Sequence, residues 1–197
     1  MTVATAEGGD IDSAIELIAE VFVADPVVAA LVSPDLPRRD RALRALIRAD
    51  ASPRGAVVDI ASGADGAVVG ATVWHRADAG SPALSARLQL AWYGGRGTVR
   101  ALKEYDDTVR KIFPAENHWH LLNIVVSPQA SGSGVGSTLL QHGLDRVDAD
   151  AQSAVLEAST PDSARLYARH GFEELAVIEG GPAHGATLMR RPPGGTQ

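Results

Sequence analysis

Residues 119–137 read WHLLNIVVSPQASGSGVGS, and this stretch decides the fold class. Its first part, residues 119–126, is a nearly continuous apolar run of the kind that forms a buried strand. Gly and Ser then dominate residues 127–134, and from residue 135 to residue 147 the pattern is helical. Glycines between a strand and a helix let several backbone N–H groups converge on an anion at the positive end of the helix. The stretch therefore predicts an anion-binding loop that fits a pyrophosphate.

Two common nucleotide-binding loops do not match these residues. A P-loop needs a Lys followed by Ser or Thr after its last glycine, whereas Gly136 is followed by Ser137 and Thr138. A dinucleotide-binding loop needs a Gly at position 137, a start directly after the strand and an acid about 20 residues further on. A flexible surface loop without a ligand is the remaining alternative, and the flanking strand and helix argue against it.

On the N-terminal side of the loop, the pattern predicts helices and a hairpin. We expect a helix that is capped by Asp10 and stopped by Pro26, and a second helix after Pro37. Residues 56–61 and 67–74 flank a turn of sequence Gly-Ala-Asp-Gly, which indicates a β-hairpin.

Glycines and prolines punctuate the rest of the chain. Residues 78–97 are compatible with a short helix, and a glycine-rich break at residues 94–97 precedes a helix over residues 98–112. On the C-terminal side, the Thr160-Pro161 pair opens a helix that Gly171 ends. The predicted strands on that side are residues 154–158, 173–178 and 186–189.

The glycine loop resembles the acetyl-CoA signature of the GNAT superfamily of N-acetyltransferases, through Gln129, Gly132 and Gly134 after a Val-Ser-Pro sequence. Residues 156–159, Leu-Glu-Ala-Ser, and residues 166–172, Leu-Tyr-Ala-Arg-His-Gly-Phe, look like the fifth strand of that family and its following helix. The resemblance covers residues 119–190. Within the superfamily, the chain is most similar to the puromycin N-acetyltransferases, through residues 125–128, 156–159 and 188–192.

The resemblance implies an α+β fold with a mixed, mostly antiparallel sheet of about seven strands flanked by helices, in which strands four and five splay apart. Residues 1–197 are expected to form a single acetyltransferase domain, because no linker or internal repeat interrupts the pattern. Residues 1–118 would form the acceptor-side half, residues 119–191 the acetyl-CoA-binding half and residues 192–197 a tail.

The resemblance also implies acetyl-CoA as the acetyl donor. The backbone of Ile124 and Val126 would pair with its pantetheine arm, and the N–H groups of residues 132–137 would hold its pyrophosphate. Thr160 stands where the family often has Asn. The residues expected to contact acetyl-CoA are Ile124, Val125, Val126, Gln129, Ser131, Gly132, Ser133, Gly134, Val135, Gly136, Ser137, Thr160 and Ser163.

Two side chains are candidates for proton transfer. Direct transfer of acetyl to an amine needs a base for the ammonium proton and an acid for the leaving thiolate. The resemblance assigns the acid role to Tyr167, for which a tyrosine packed in the core is the alternative. His118 and His120 alternate on a predicted strand and share one face, and the arylalkylamine N-acetyltransferases are similar in carrying His there. We expect His120 to be the base; an idle histidine or a metal-ligating pair is the alternative, and no metal is expected.

The expected acceptor is a primary amine of a small molecule, with an antibiotic such as puromycin as the leading example from the resemblance. Large aromatic residues outside the motifs would wall its site, and Asp25 would pair with its ammonium. Each of these residues also has an ordinary structural interpretation, as a core aromatic or as the Asp of an Asp-Pro turn. The candidate acceptor-binding residues are Phe22, Asp25, Trp74, Trp92, Tyr105 and His118.

The composition limits the class of function. The chain has 197 residues, a formal charge of −6 and no cysteine. A negative chain without a basic run is poorly suited to nucleic acid, and its apolar runs are too short for a membrane span, so we expect neither partner. The absence of cysteine favours direct transfer and a cytoplasmic location. We expect a monomer or homodimer; the alternative functions are a non-catalytic acyl-CoA-binding module and a toxin-like acetyltransferase that acts on aminoacyl-tRNA.

Overall fold

The computed structural model describes residues 1–113 and 116–194, which form seven strands and six α-helices. Short 3-10 turns at Phe22–Ala24 and Pro128–Ala130 connect some of them. The strands are β1 (Thr2–Thr5), β2 (Val57–Ser62), β3 (Val68–Arg76), β4 (His118–Val126), β5 (Ser153–Ala158), β6 (Glu173–Val177) and β7 (Thr187–Arg191). The helices are α1 (Gly9–Val21), α2 (Pro26–Leu31), α3 (Arg39–Ala51), α4 (Leu84–Val109), α5 (Val135–Ala149) and α6 (Pro161–Ala168).

All seven strands join one sheet in the order β1-β2-β3-β4-β5-β7-β6. The β4–β5 pair is parallel and the other neighbouring pairs are antiparallel. The mixed, mostly antiparallel sheet that was predicted is therefore confirmed. The sequence did not predict β1, which is only four residues long and mostly exposed, so it lacks a clear apolar alternation.

The predicted splay of strands four and five is visible in their register. The two strands pair from His118 with Ser153 as far as Leu121 with Leu156. Beyond that point β4 continues to Val126 without β5 beside it. The two strands are thus separated by a wedge, which opens toward the C-terminal end of β4, next to the glycine loop.

Two predictions for the N-terminal helices are wrong. Asp10 does not cap α1, because the helix already begins at Gly9 and Asp10 lies in its first turn. Pro26 does not stop a helix but begins α2, where its fixed φ and missing N–H suit the first helical position. Asp25 caps α2, because its Oδ1 accepts a hydrogen bond of 2.9 Å from the Val28 N–H.

The glycine-rich break within residues 94–97 is a kink inside α4. Gly95 has φ 70° and ψ −175°, which interrupts the helix at a single residue. The helix ends at Val109, three residues before the predicted end. The predicted hairpin, the helix after Pro37, the helix after the glycine loop and the helix opened by Thr160 are all present. Of the predicted tail, residues 195–197 lie outside the described residues.

A hydrophobic core packs against each face of the sheet. On one face α1 and α3 pack against the sheet, and on the other α5 packs over β3, β4 and β5. Gly143 of α5 allows this contact, since a Cβ there would lie 2.4 Å from the Trp74 ring. The largest fully buried side chains include Ile15, Ile18, Leu43 and Ile47 on the first face and Trp74, Leu140, Leu144 and Leu156 on the second.

A buried ion pair ties α5 to β2. Asp59 is fully buried and accepts a hydrogen bond of 2.7 Å from Arg146 Nη2. The Asp59 carboxylate also accepts from Thr5 Oγ1 at 3.0 Å, which connects the first strand to the same centre. A buried carboxylate needs such partners because its desolvation is costly.

Candidate active site

A β-bulge in β4 brings His120 and Asn123 onto one face. Trp74 of β3 pairs with Leu121, but the preceding Val73 pairs with Asn123, so Leu122 is an extra residue in β4. An extra residue reverses the alternation of side chains that follow it. His120 and Asn123 consequently face the same cavity although they are three positions apart.

This cavity has a volume of about 930 Å³ and lies beside the splay between β4 and β5. Its walls come from the 3-10 turn at Phe22–Ala24 and from α2, the end of α3, the second half of α4, and the strands β4 and β5. At the splay it is lined by Ile124, Ser163 and Tyr167, and toward α3 and α4 by Asp50, Asp106 and Arg110. The cavity therefore connects the open wedge with an acidic region deeper in the acceptor-side half.

His120 forms a close pair with Glu157 of β5. The His120 Nε2 atom lies 2.8 Å from Glu157 Oε2, and the two side chains are 22% and 7% exposed. Burial lowers the pKa of His120, but the Glu157 carboxylate, with smaller contributions from Asp50 and Asp106, more than offsets that effect, so the pKa is raised above its usual value. The Tyr105 hydroxyl faces the same carboxylate from α4, and burial, together with Glu157, raises the pKa of its phenol. The pair can hold a proton and pass it within the cavity.

Asp50 lies in the cavity wall beside this pair. Its Oδ2 accepts a hydrogen bond of 3.1 Å from Asn123 Nδ2, and its backbone carbonyl accepts from His75. Burial raises the pKa of Asp50 to about 7, and the nearby Asp106 adds to the increase. Asp50 is therefore only partly ionised near neutral pH.

Tyr167 lines the cavity from α6, on the far side of the splay. The side chain packs against Phe172, with a distance of 6.0 Å between ring centroids. Burial raises the pKa of its phenol, and the carboxylates of Asp25 and Glu157 add to the effect. The hydroxyl is consequently protonated at physiological pH, as a proton donor must be.

Thr160 and Ser163 set the start of α6. The Thr160 side chain accepts from the Ser163 N–H at 3.2 Å, and the Ser163 hydroxyl interacts with the Thr160 backbone, which makes a capping box. Both hydroxyls are thus used in the helix start, while Ser163 also lines the cavity.

The glycine loop leaves a row of donors at the start of α5. Gly132 and Gly134 have φ values of 76° and 87°, and a Cβ on either would meet no atom within 4 Å. In the described part of the chain, the N–H groups of Gly134, Val135, Gly136 and Ser137 donate to no backbone carbonyl. Left-handed glycines and free N–H groups at a helix N-terminus form a cradle for an anion.

The backbone of β4 also offers free groups toward the splay. The Ser127 N–H donates to the Val69 carbonyl of β3 at 2.8 Å. In an antiparallel pair, alternate residues direct their backbone groups to opposite sides. The N–H and C=O groups of Ile124 and Val126 therefore point away from β3, toward the side on which β5 has ended.

Residues 86–174 match the family model described as an acetyltransferase (GNAT) domain. This match covers 89 of the 197 residues, a little under half of the chain. An acetyltransferase from Corynebacterium glutamicum, described as histone acetyltransferase HPA2 and related acetyltransferase, is 27% identical, with a TM-score of 0.75 and 100% of this chain and 98% of that chain covered. Together these two matches indicate that the protein is an N-acetyltransferase enzyme.

More distant structures share the fold. Arylalkylamine N-acetyltransferase 2 from Aedes aegypti is 17% identical, with a TM-score of 0.66 and 97% of this chain and 98% of that chain covered. A phosphinothricin acetyltransferase from Sinorhizobium meliloti, in complex with AcCoA, is 20% identical, with a TM-score of 0.60 and 99% and 90% covered. The expected α+β fold with splayed strands is thus the fold of known acetyltransferases.

The acceptor-binding candidates divide into two groups in this acetyltransferase. Phe22, Asp25, Tyr105 and His118 line the cavity, although the Asp25 carboxylate is already engaged by Val28 and by the Ser159 hydroxyl. Trp74 and Trp92 do not line it, which corrects the expectation that they wall the acceptor site. Trp74 is fully buried beneath α5, and Trp92 is 78% exposed on the outer side of α4.

The acetyl-CoA candidates differ in what they can offer. Gln129, Ser131 and Ser133 are exposed in the loop, so their side chains are accessible. The side chains of Val125 and Val135 are buried in the core, which leaves only their backbone groups for a ligand. Val126 also packs against the core under α5.

Sequence reasoning missed several cavity residues. Glu157 carries a signal, because it is the one charged residue in an otherwise apolar predicted strand. Asp50, Asp106 and Asn123 carry none, since Asp50 and Asn123 are 73 residues apart in sequence and meet only in the folded chain.

Over residues 1–113 and 116–194, no three His, Cys, Asp or Glu side chains are grouped so that they could hold a metal ion. The helices of the same residues include none with the length and apolar character needed to cross a membrane.

Proposed function

We propose that this acetyltransferase moves acetyl from acetyl-CoA directly to a primary amine of a small molecule. The observation that carries the proposal is the single cavity that joins the splay between β4 and β5 to the His120–Glu157 pair and Tyr167. A cavity of about 930 Å³ is large enough for a drug-sized acceptor.

The residues at the splay fit acetyl-CoA. The free N–H groups at the start of α5 and the left-handed Gly132 and Gly134 suit its pyrophosphate. The backbone of Ile124 and Val126 can hydrogen-bond the amides of its pantetheine arm in the manner of an added strand. When bound, acetyl-CoA supplies an activated acyl group as a thioester.

His120 would accept the proton that the acceptor ammonium must lose before its nitrogen can attack. The imidazole can take it directly or through a water molecule, and Glu157 Oε2 holds the ring in position. The raised pKa of His120 makes it a stronger base than a free histidine, and sets the pH range in which it is deprotonated.

Tyr167 would donate a proton to the sulfur as the thiol departs. Its phenol is protonated and lies in the wall of the same cavity, on the opposite side of the splay from His120. Since the chain has no cysteine to carry the acetyl group, we favour a direct transfer between the two substrates.

The proteins that this chain resembles suggest which classes of amine are candidate acceptors. The resemblance of residues 125–128, 156–159 and 188–192 to puromycin N-acetyltransferases supports aminonucleosides as candidate acceptors. Two neighbours in fold are an arylalkylamine N-acetyltransferase and a phosphinothricin acetyltransferase, which adds arylalkylamines and amino acids. All three classes present a primary amine.

A thiol-release assay with acetyl-CoA and a panel of amines tests the proposal. The panel contains puromycin, an arylalkylamine, an amino acid and simple alkylamines, and mass spectrometry follows the acetylated product. We expect at least one amine to give thiol and N-acetyl product in equal amounts. Tight binding of acetyl-CoA without thiol release on any amine would instead favour a non-catalytic acyl-CoA-binding module.

A further inference from the structure

Glu157 has a second neighbour in the cavity besides His120. Tyr105 lies on the half of α4 that lines the cavity, and its hydroxyl faces the Glu157 carboxylate within reach of a hydrogen bond. His120 Nε2 already occupies Oε2 of that carboxylate at 2.8 Å, so Oε1 is the oxygen left for the hydroxyl. The carboxylate therefore lies between a side chain of β4 and a side chain of α4.

Packing holds both of these side chains in place. The Tyr105 ring packs against the core beneath α1 and α3 and also against the smaller core around Ile178. Phe113 packs against this second core as well, and it meets the His120 ring edge to face, with 5.2 Å between the ring centroids. The hydroxyl and the imidazole thus approach Glu157 from fixed positions.

The protonation state of Tyr105 sets the direction of this hydrogen bond. Burial raises the pKa of the phenol well above its usual value, and the Glu157 carboxylate adds to the increase. A phenol that keeps its proton can only donate to a carboxylate. Tyr167 differs, because Glu157 acts on it through charge and without a hydrogen bond. Tyr105 is therefore the tyrosine that engages Glu157.

A donor on Glu157 matters because His120 must be deprotonated before it can act as a base. A carboxylate beside an imidazole favours the imidazolium form, which cannot accept a proton. A hydroxyl that donates to Glu157 reduces the negative charge that the carboxylate presents to His120. The position of Tyr105 thus opposes the effect of Glu157 on the base.

Other titratable groups surround the pair, and none of them replaces the hydroxyl. Asp50 and Asp106 favour the imidazolium form, as Glu157 does. Burial lowers the pKa values of the two neighbouring histidines, so both lose their protons at lower pH than His120. The groups that face the pair are Asp50 from α3, Tyr105 and Asp106 with its neighbour Arg110 from α4, His75 from β3 and His118 from β4.

From these contacts we infer that Tyr105 is a positioning residue, which donates its hydroxyl hydrogen to Glu157 and limits how strongly that carboxylate holds the proton of His120. The inference rests on the proposed function, because it concerns the base proposed for the same site. Tyr105 acts through Glu157 and needs no contact with the acceptor. It links α4 of the acceptor-side half to the two strands that carry the pair.

An NMR titration of the His120 imidazole tests the inference on the protein without substrates. The protein carries isotope-labelled histidine, and His120→Ala identifies the signal. Tyr105→Phe keeps the ring and removes only the hydroxyl, so we expect the pKa of His120 to rise by on the order of half a unit or more. Tyr93→Phe is the matched control and should leave this pKa unchanged, since Tyr93 lies on α4 but does not line the cavity.

A second background separates action through Glu157 from a direct effect on His120. In Glu157→Gln the group that faces the hydroxyl is neutral, so adding Tyr105→Phe should change the pKa of His120 much less. With an amine that is turned over, the inflection of kcat/KM should move to higher pH in Tyr105→Phe. That direction is opposite to the shift that loss of the carboxylate itself would give.

Each outcome decides the inference. An unchanged or lower pKa of His120 in Tyr105→Phe, or an equal rise in both backgrounds, would overturn it. A rise that the profile of kcat/KM does not follow would also overturn it, because the hydroxyl would then have no part in catalysis. Failure of every amine to release thiol would overturn the proposed function, whereas the titration of His120 still decides whether Tyr105 acts on the pair.

Discussion

Glu157 controls the pKa of His120, and through it the pH range of catalysis. Burial alone would lower the pKa of His120, whereas the contact with the carboxylate raises it. Replacing the carboxylate by a neutral amide in Glu157→Gln removes the stabilisation of the imidazolium. We therefore expect the inflection of kcat/KM that belongs to His120 to move to lower pH, together with a fall in the maximal rate.

The measurement is kcat/KM against pH with one amine for both proteins, so that deprotonation of the amine contributes equally. Glu173→Gln is the control, because Glu173 is exposed on β6 and has the same charge. An inflection that stays at the same pH in Glu157→Gln would show that His120 does not titrate in the rate-determining steps.

Tyr167→Phe tests the proposed proton donor, because it removes only the hydroxyl group. The variant keeps the ring and its packing against Phe172, so stability and acetyl-CoA affinity should change little. Loss of the proton donor should lower kcat by roughly 10²- to 10⁴-fold. Tyr93→Phe serves as the control, since Tyr93 lies on α4 under Arg41, away from the cavity. Full kcat in Tyr167→Phe, with chemistry rate-limiting, would leave proton donation to water.

At the residue scale, the sequence predicts positions better than environments. Alternation along the strand put His118 and His120 on one face, and both line the cavity. The partner of His120 lies 37 residues away, and the bulge at Leu122 that turns Asn123 to the same face has no signature in the sequence. The pKa shifts follow from those contacts, so they were not predictable either.

At the scale of elements, the glycine loop is the feature that the proposed function depends on most. Gly134→Val places a side chain in open space where we expect the pyrophosphate, and also strains the left-handed backbone by about 1–2 kcal/mol. Gly66→Val is a matched control, because Gly66 in the β2–β3 turn has φ 81° and is equally unobstructed.

We expect similar losses of thermal stability in the two glycine variants and loss of acetyl-CoA binding only in Gly134→Val. Thermal unfolding and titration calorimetry measure the two effects separately. Unchanged acetyl-CoA affinity in a folded Gly134→Val protein would mean that the cofactor lies elsewhere.

The link between α5 and β2 gives a prediction for stability. Arg146→Met keeps the stem of the side chain but removes the guanidinium that hydrogen-bonds the fully buried Asp59 at 2.7 Å, leaving His142 Nε2 at 3.6 Å. Loss of one partner of a buried pair should lower the free energy of unfolding by about 3 kcal/mol in urea denaturation. Adding Asp59→Asn to Arg146→Met should recover part of that loss, and a single variant as stable as the parent would contradict a stabilising role.

Elements with strong local signals were predicted well. The strand, the glycine loop and the following helix were expected at residues 119–147 and occur as β4, the loop and α5. Pro26 was misinterpreted because a proline can follow one helix or begin the next, and only the neighbouring Asp25 cap separates the two cases.

At the scale of the whole molecule, one sheet connects the two halves of the chain, which meet at the β3–β4 pair, and the splay between β4 and β5 lies one strand further along. The C-terminal half has local motifs, so its contribution could be predicted. The acceptor wall is assembled from α2, α3, α4 and strand ends that are distant in sequence. Trp74 and Trp92 show the consequence, because composition alone cannot tell an aromatic of the cavity from one under α5 or on the surface.

A single-turnover experiment tests the central claim, the direct transfer of acetyl within this cavity, most directly. Enzyme in excess is mixed with acetyl-CoA and an active amine, and quenched samples are analysed for free thiol, acetylated amine and the mass of the protein. We predict that thiol and acetylated amine appear with the same rate constant, that the protein mass never changes, and that Tyr167→Phe slows both products together. A protein that gains the mass of one acetyl group before the amine does, or thiol released without acetylated amine, would contradict the account.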